Sequence, residues 1–336
     1  MKVAINGFGR IGRLAFRELV RAGKHEVVAI NDLFKVETLA YLLEFDSAQG
    51  RFMTGQISSQ GQYLIVGQKK ILVLAERNPE DLPWQKLRVD VVIEATGLFR
   101  SRELASRHLT AGAKKVVISA PAGGDVPTIV FGVNHHQLRA SDRILSCASC
   151  TTNCATPLVH VLDQEFGVVH GLLTTVHAVT NDQRLLDLPH QDMRRGRSAL
   201  VNIVPTQTGA AVAITKVLPH LAGRLNGIAL RVPVVTGSIV DFTIQLKKPA
   251  TATAINQVFQ KYAQHSALRA TLDYARHPLV SCDVVGATAG SIFDPSLTLV
   301  LTDQPQPIVK VFAWYDNETS YMHQLVRTVD FLATLG

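Results

Sequence analysis

The sequence predicts an α/β chain of two domains: a doubly wound, mostly parallel sheet first, then an α+β domain with a mixed or antiparallel sheet. Three observations predict this. A glycine pattern separates the first apolar run from the first helical pattern. Continuous Val/Ile runs recur through the first half, as in strands buried on both faces. Strictly alternating stretches appear in the second half, as in a sheet with one covered face. At 336 residues the chain is long for a single core. With 47% hydrophobic and 18% charged residues it can bury that core, which excludes a disordered chain. No apolar run reaches the length of a membrane span. The N-terminus shows no long apolar signal segment, so a cytoplasmic location with reduced cysteines is expected.

The first element is the run Val3–Ile5, followed by Gly7, Gly9 and Gly12 in G-x-G-x-x-G spacing. A helical pattern through Leu14, Phe16, Leu19 and Val20 comes next. Strand, glycines and helix in that order form a Rossmann-type dinucleotide fingerprint. Gly7 allows a tight turn, Gly9 lets backbone approach a pyrophosphate, and Gly12 lets the helix pack closely. The second strand, residues 26–30, leads to Asp32, 20 residues after Gly12. An acidic side chain there suits the adenosine ribose hydroxyls and repels a 2′-phosphate, so NAD is expected rather than NADP. Further strands are expected at 89–97, 114–121, 128–133 and 143–147. Thr96, Gly97, Ser119 and Ala120 stand at their carboxyl ends, where such sheets bind ligands.

Beyond residue 150 the pattern mixes helix and strand. Residues 171–179 read as a strand that ends near His177, 238–248 alternate, and 251–267 form an amphipathic helix with Ile255, Val258, Phe259 and Tyr262 inward. Residues 303–308 are a proline-rich loop, and the last segment is a helix. The net charge is +7, but basic residues are dispersed except at Arg194, Arg195 and Arg197. That cluster reads either as a solvated turn or as an oxyanion or interface site.

Three of the four cysteines, Cys147, Cys150 and Cys154, lie within residues 146–154. A metal site would need a second ligand pair, which the sequence lacks, so no metal is expected. A redox pair (Cys147 with Cys150) and a single nucleophile at Cys150 both remain open. Ser149 is a plausible N-cap, which would set Cys150 in the first helical turn, where free N–H groups and the dipole favour a thiolate. Cys154, one turn on, would be buried and inert. His177 is the base candidate, since Thr180, Asn181 and Asp182 follow it directly.

The motifs INGFGRIGR, ASCTTNC, TTVHAVTNDQ, PTQTGAA and WYDNE together resemble the phosphorylating glyceraldehyde-3-phosphate dehydrogenase family, in order and over nearly the whole chain. The resemblance implies Cys150 as nucleophile and His177 as its base, with a thiohemiacetal oxidised to a thioester that phosphate then cleaves. It implies Thr180 and Arg231 at the substrate phosphate, and Ser149, Thr151, Thr208, Gly209 and Arg195 at inorganic phosphate. For NAD it adds Arg10 and Ile11 at the pyrophosphate, Arg77 near the adenine, Ser119 on the nicotinamide side, Asn317 on the carboxamide and Tyr321 packed beside it. Leu33 and Leu188-Pro189 resemble the family's NAD-preferring pattern. The domains are then 1–148, completed by a C-terminal helix at 316–336, and 149–315. Residues 178–202 resemble a long loop that lies against a neighbouring subunit, and a homotetramer is the family expectation.

The sequence departs from the family pattern in places. Cys147 stands where Asn is usual, which raises a disulfide with Cys150 as a possible oxidised state. Ser320 replaces a usual Gly and would strain a turn of positive φ. Residues 231–242 also depart from the common wording, with Arg231 kept. A phosphorylated aldehyde and inorganic phosphate are the implied partners. Erythrose-4-phosphate dehydrogenase is the enzyme alternative. A non-enzymatic binding role is the other; nucleic acid is not expected as the primary partner, and no membrane is.

Overall fold

The computed structural model describes residues 1–301 and 306–335. The chain divides into two compact units: Met1–Ile129, His135–Ala148 and Leu325–Gly336 form the first, Val130–Asn134 and Ser149–Gln324 the second. Among the described residues no helix is long and apolar enough to cross a membrane.

The first unit is built on eight strands: β1 (Lys2–Asn6), β2 (Glu26–Asn31), β3 (Ile57–Gln60), β4 (Tyr63–Val66), β5 (Lys69–Leu74), β6 (Val91–Glu94), β7 (Lys115–Ile118) and β8 (Ile144–Ser146). Their order is β3-β4-β5-β2-β1-β6-β7-β8. From β5 to β8 every neighbour is parallel. β1 therefore lies where the strand order reverses, with β2 on one side and β6 on the other, and such a crevice receives ligands. The Val/Ile runs of β6 and β7 are buried throughout, as strands covered on both faces must be. Helices α1 (Arg10–Ala22), α2 (Val36–Glu44), α3 (Trp84–Leu87) and α4 (Arg102–Thr110) connect them.

Two features depart from the sequence reading. The antiparallel ribbon β3-β4-β5 was not expected; Gly61 and Gly67, at φ 56° and 58°, turn it in two-residue hairpins that require positive φ. The expected strand at 128–133 is not one. Thr128 makes a single bridge to Ser146. Past it the chain closes a turn: Val133 N and Asn134 N donate to Val130 O, and Asn134 Oδ1 accepts from Val130 N at 2.8 Å. A local side-chain acceptor and Gly132 at φ 88° outcompete the ladder there.

The second unit carries β9 (Val168–His177), β10 (Val204–Gln207), β11 (Leu225–Arg231), β12 (Ser238–Leu246), β13 (Leu272–Tyr274), β14 (Ser291–Phe293), β15 (Leu299–Leu301) and β16 (Ile308–Tyr315). The order is β10-β11-β9-β12-β16-β14-β13, with β15 also on β16. The pairs β11-β9 and β13-β14 are parallel and the rest antiparallel. Burial alternates along β12 residue by residue. The covered face packs on α5 (Cys150–Phe166), α6 (Ala210–Val217) and α7 (Ala252–His265) around Leu158, Leu162, Phe242 and Phe259. Thr251 caps α7 by accepting from Ala254 N. Ile255 and Phe259 are buried, with Val258 and Tyr262 against the same core. The proline-rich loop expected at 303–308 begins outside the described residues. α8 (Thr319–Thr334) ends the chain's regular structure.

The glycines of the first turn differ in what surrounds them. A Cβ at Gly12 would overlap Gly7 O, and one at Gly7 would meet Thr96 N at 2.7 Å. One at Gly9 meets nothing within 4 Å. Gly12→Ala is expected to destabilise the protein by about 3 kcal/mol. Gly9→Ala is expected to cost about 1 kcal/mol or less. Thermal melts of both variants check this; equal losses would contradict the packing account.

Candidate functional site

Two structural rules set the second unit's site. Ser149 is the N-cap of α5, its Oγ accepting from Thr152 N at 3.1 Å, which places Cys150 at the first helical position. Ala148 just before it holds φ 58°, a conformation a non-glycine residue adopts at a cost of about 1 kcal/mol or more. His177 ends β9, and parallel pairing with β11 sets Arg231 opposite it.

The Cys150 sulfur lies 3.3 Å from His177 Nε2. His177 Nδ1 lies 2.6 Å from Ala178 O, which holds the ring with Nε2 toward the sulfur. Arg231 Nη1 is 2.7 Å from Nδ1 and donates to Ala178 O at 3.2 Å. Burial dominates both titrating groups. It pushes the Cys150 thiol up, against the pull of the Arg231 charge and the hydrogen bonds at the helix start. It holds His177 at about 3, with the Arg231 charge adding to the effect. Cys154 is buried with its thiol raised by burial, and Cys147 is buried with its thiol pushed up to about 12. Such a Cys147 does not favour the thiolate that disulfide exchange requires, and no disulfide joins the four cysteines.

Polar and charged groups gather beside this pair. Asp182 accepts from Thr180 Oγ1 and pairs with Arg195, whose Nε also donates to Thr206 Oγ1 at 2.9 Å. Asp182's carboxyl is held low by Thr180 and by the charges of Arg195 and Arg231, despite its burial. Arg231 Nε is buried without a hydrogen-bond partner. Thr208 Oγ1 accepts from Ala210 N at 3.2 Å, and Gly209 caps α6 with no side-chain cap and no acid in the first turn. The Thr151 hydroxyl is 2.9 Å from Tyr315 OH. Of the arginine cluster, Arg197 pairs with Asp187 in the open and Arg194 is exposed.

Asn317 is buried, its Oδ1 accepting from Gly237 N at 3.1 Å and Ser238 Oγ at 3.0 Å. Tyr321 is buried on α8. Ser320 causes no strain: it lies inside α8, its φ is not positive, and its Oγ donates to Asp316 O at 2.6 Å.

In the first unit, α1 begins with Gly9 as N-cap, no side-chain cap and no acidic residue in its first turn, so the N–H groups after Arg10 and Ile11 suit a pyrophosphate. Arg10 pairs with Asp46 at 2.6 Å. Asp32 is held at the end of β2 by Phe8 N at 2.7 Å and Phe34 N at 3.1 Å. Arg77 is exposed. Thr96 and Gly97 follow β6, and Ser119 follows β7 with its N–H bonded to Glu94 O. The open space at Gly9 and the uncapped helix fit a dinucleotide. Among the described residues no group of three or more His, Cys, Asp and Glu side chains could hold a metal ion.

The sequence reading missed Asp182, Tyr315, Glu94 and His108. Asp182 was quoted only as part of a polar run. Tyr315 lies in WYDNE, where alternation along β16 turns it inward. Nothing in the local pattern signals Glu94, since an acid that closes a Val/Ile strand looks like a loop residue.

Two family models match the chain: glyceraldehyde 3-phosphate dehydrogenase, NAD binding domain, over residues 1–102, and glyceraldehyde 3-phosphate dehydrogenase, C-terminal domain, over 149–317. Curated relatives carry the same name. The glyceraldehyde-3-phosphate dehydrogenase of Mycoplasma pneumoniae is 52% identical, covering 100% of this chain and 98% of its own. Those of Clostridium acetobutylicum and Geobacillus stearothermophilus are 50% and 48% identical, each covering 100% of this chain and 99% of its own. With an NAD-binding domain model matched in its first unit, a C-terminal domain model matched over most of its second and relatives about half identical over the whole chain, the chain belongs to the glyceraldehyde-3-phosphate dehydrogenase family.

Proposed function

We propose that this enzyme oxidises D-glyceraldehyde 3-phosphate with NAD and inorganic phosphate to 1,3-bisphosphoglycerate, through a thioester on Cys150. The contact between Cys150 Sγ and His177 Nε2, 3.3 Å at the start of α5, carries the reading. As the sulfur attacks the aldehyde carbon, its proton passes to Nε2 and on to the alkoxide, giving a thiohemiacetal. His177 then takes the hydroxyl proton while the carbon loses hydride, and the C–O bond becomes the carbonyl of a thioester. NAD, when bound, supplies the hydride acceptor. A phosphate oxygen attacks the thioester carbonyl, the C–S bond breaks, and the sulfur regains its proton from His177.

Arg231 carries the substrate phosphate together with Thr180; its buried, unpartnered Nε supports an oxyanion there. Thr208, Gly209 and the uncapped start of α6 hold inorganic phosphate, with Ser149 and Arg195. Thr151 contributes through its backbone, since its hydroxyl meets Tyr315. For NAD, Gly7, Gly9, Arg10, Ile11 and Gly12 take the pyrophosphate and Asp32 the ribose. Arg77 lies at the adenine, Thr96, Gly97 and Ser119 form wall, and Asn317 with Tyr321 receive the carboxamide. The free thiols suit a reducing cytoplasmic compartment. Leu185, Leu186, Leu188, Met193 and Val201 are exposed in the 178–202 loop, and we assign them to contacts in a homotetramer.

NADH formation from glyceraldehyde 3-phosphate is expected to require phosphate and to vanish in Cys150→Ser. A faster reaction with erythrose 4-phosphate, or activity that survives the substitution, would overturn the reading. His177→Ala is expected to slow the oxidation by about 10²- to 10⁴-fold while iodoacetamide still alkylates Cys150; burst kinetics check this. The Arg231 charge lowers the Cys150 thiol, so Arg231→Gln is expected to move the pH profile of alkylation upward. A profile that stays in place would remove Arg231 from the activation of the sulfur.

A further inference from the structure

The ends of β2, β1 and β6 are joined by a buried chain of polar side chains that the proposed chemistry does not use. Asn6, Asn31, Trp84, Glu94 and His108 are each at most 5% exposed. The hydrogen-bond directions along this chain follow from its two ends. At one end, the backbone of Glu76 fixes the Asn31 amide: Glu76 N donates to Oδ1 and Nδ2 donates to Glu76 O, both at 2.8 Å. Asn31 Nδ2 also donates to Asn6 Oδ1 at 2.7 Å, which fixes Asn6, whose Nδ2 then donates to Glu94 Oε2 at 2.6 Å. At the other end, Trp84 Nε1 can only donate, and its partner is His108 Nδ1 at 3.0 Å. The imidazole proton is therefore on Nε2, and it goes to Glu94 Oε2 at 3.0 Å. Asn6 Nδ2 and His108 Nε2, 3.4 Å apart, are two donors side by side that converge on one oxygen. The other oxygen, Oε1, accepts from Thr96 N at 2.8 Å and from Thr96 Oγ1, which in turn accepts from Leu98 N at 3.0 Å.

Four donors thus meet on one carboxylate. Among the described residues no guanidinium or ammonium is a partner of Glu94 in this set. The segments it ties are the ones read above as the dinucleotide cradle. Asn6 precedes the Gly7 turn, Asn31 precedes Asp32, and Thr96 is the backbone that Gly7 packs against.

We propose that Glu94 is the positioning residue of the NAD site: as an acceptor-only hub it locks the Gly7 turn, the Asp32 strand end and the Thr96–Leu98 turn into one geometry. This rests on the reading of Gly7, Asp32 and Thr96 as NAD contacts. The hub must be a carboxylate. An isosteric amide turns one end into a donor, and no orientation satisfies it. Toward Oε2 it meets Asn6 and His108, both fixed as donors; toward Oε1 it meets the Thr96 N–H.

The test compares Glu94→Gln, Asn6→Ala and Trp84→Phe in the full chain. NAD affinity is measured by calorimetry, stability by thermal melting, and the rate of Cys150 alkylation by iodoacetamide without NAD. Glu94→Gln is expected to weaken NAD binding about tenfold or more. Asn6→Ala, which cuts the link to Asn31, weakens it in the same sense. Alkylation of Cys150, in the other unit, keeps its wild-type rate in both. Trp84→Phe removes core packing and the distal donor but leaves the four bonds to Glu94, so it lowers the melting temperature without a matching loss of NAD affinity. Wild-type NAD affinity in folded Glu94→Gln overturns the proposal. So does NAD affinity that falls with melting temperature across all three variants, or a failure of both Glu94→Gln and Asn6→Ala to fold, since the role is then only to maintain the fold. A wild type that binds no NAD would instead remove the reading of the cradle itself.

Discussion

β9 and β11 run in parallel with Arg231 opposite His177, so a guanidinium charge stands beside the imidazole wherever this sheet forms. Much of the second unit's chemistry follows from that register. The Ala178 carbonyl next to His177 orients the ring and leaves Nε2 to face the sulfur. A one-residue slip would turn His177 to the other face and break its contact with the Cys150 sulfur. The alternating apolar positions of β12, buried one by one against α5 and α7, hold the register by making any slip expose a whole row of core side chains.

Burial and charge compete at the sulfur. A helix N-terminus and a nearby arginine favour a thiolate, and removal from water disfavours it. Desolvation is the larger effect at both Cys150 and His177.

Both units hold several polar side chains in hydrogen-bond networks of more than one partner. Tyr315 OH lies between Thr151 and Thr175, at 2.9 and 2.8 Å. Asp182 gathers Thr180 and Arg195. Glu94 gathers two strand ends and a turn. Such networks fix geometry because a single wrong donor leaves a buried group unpaired. Their cost in stability falls near ligands, where rigidity has a use.

The sequence by itself determined part of the architecture: glycine spacing and continuous Val/Ile runs located β1, α1, β2, β6, β7 and β8, and the patterns of the second half located α5, β9, β12, α7 and the closing helix, while β10, β11, β16 and α6 were not located. It also placed Ser149 as a cap and Cys150 at a helix start, because capping is a local interaction between residues three apart. It misjudged 128–133, where a local Asn134 acceptor and Gly132 favour a turn over the ladder, and missed the β3-β4-β5 ribbon. Only the tertiary structure decided what surrounds each polar group. The partner of Thr151 is 164 residues away, and the donors to Glu94 come from three separate segments. Long-range pairing sets desolvation and hydrogen-bond direction, and neither leaves a periodic signature along the chain.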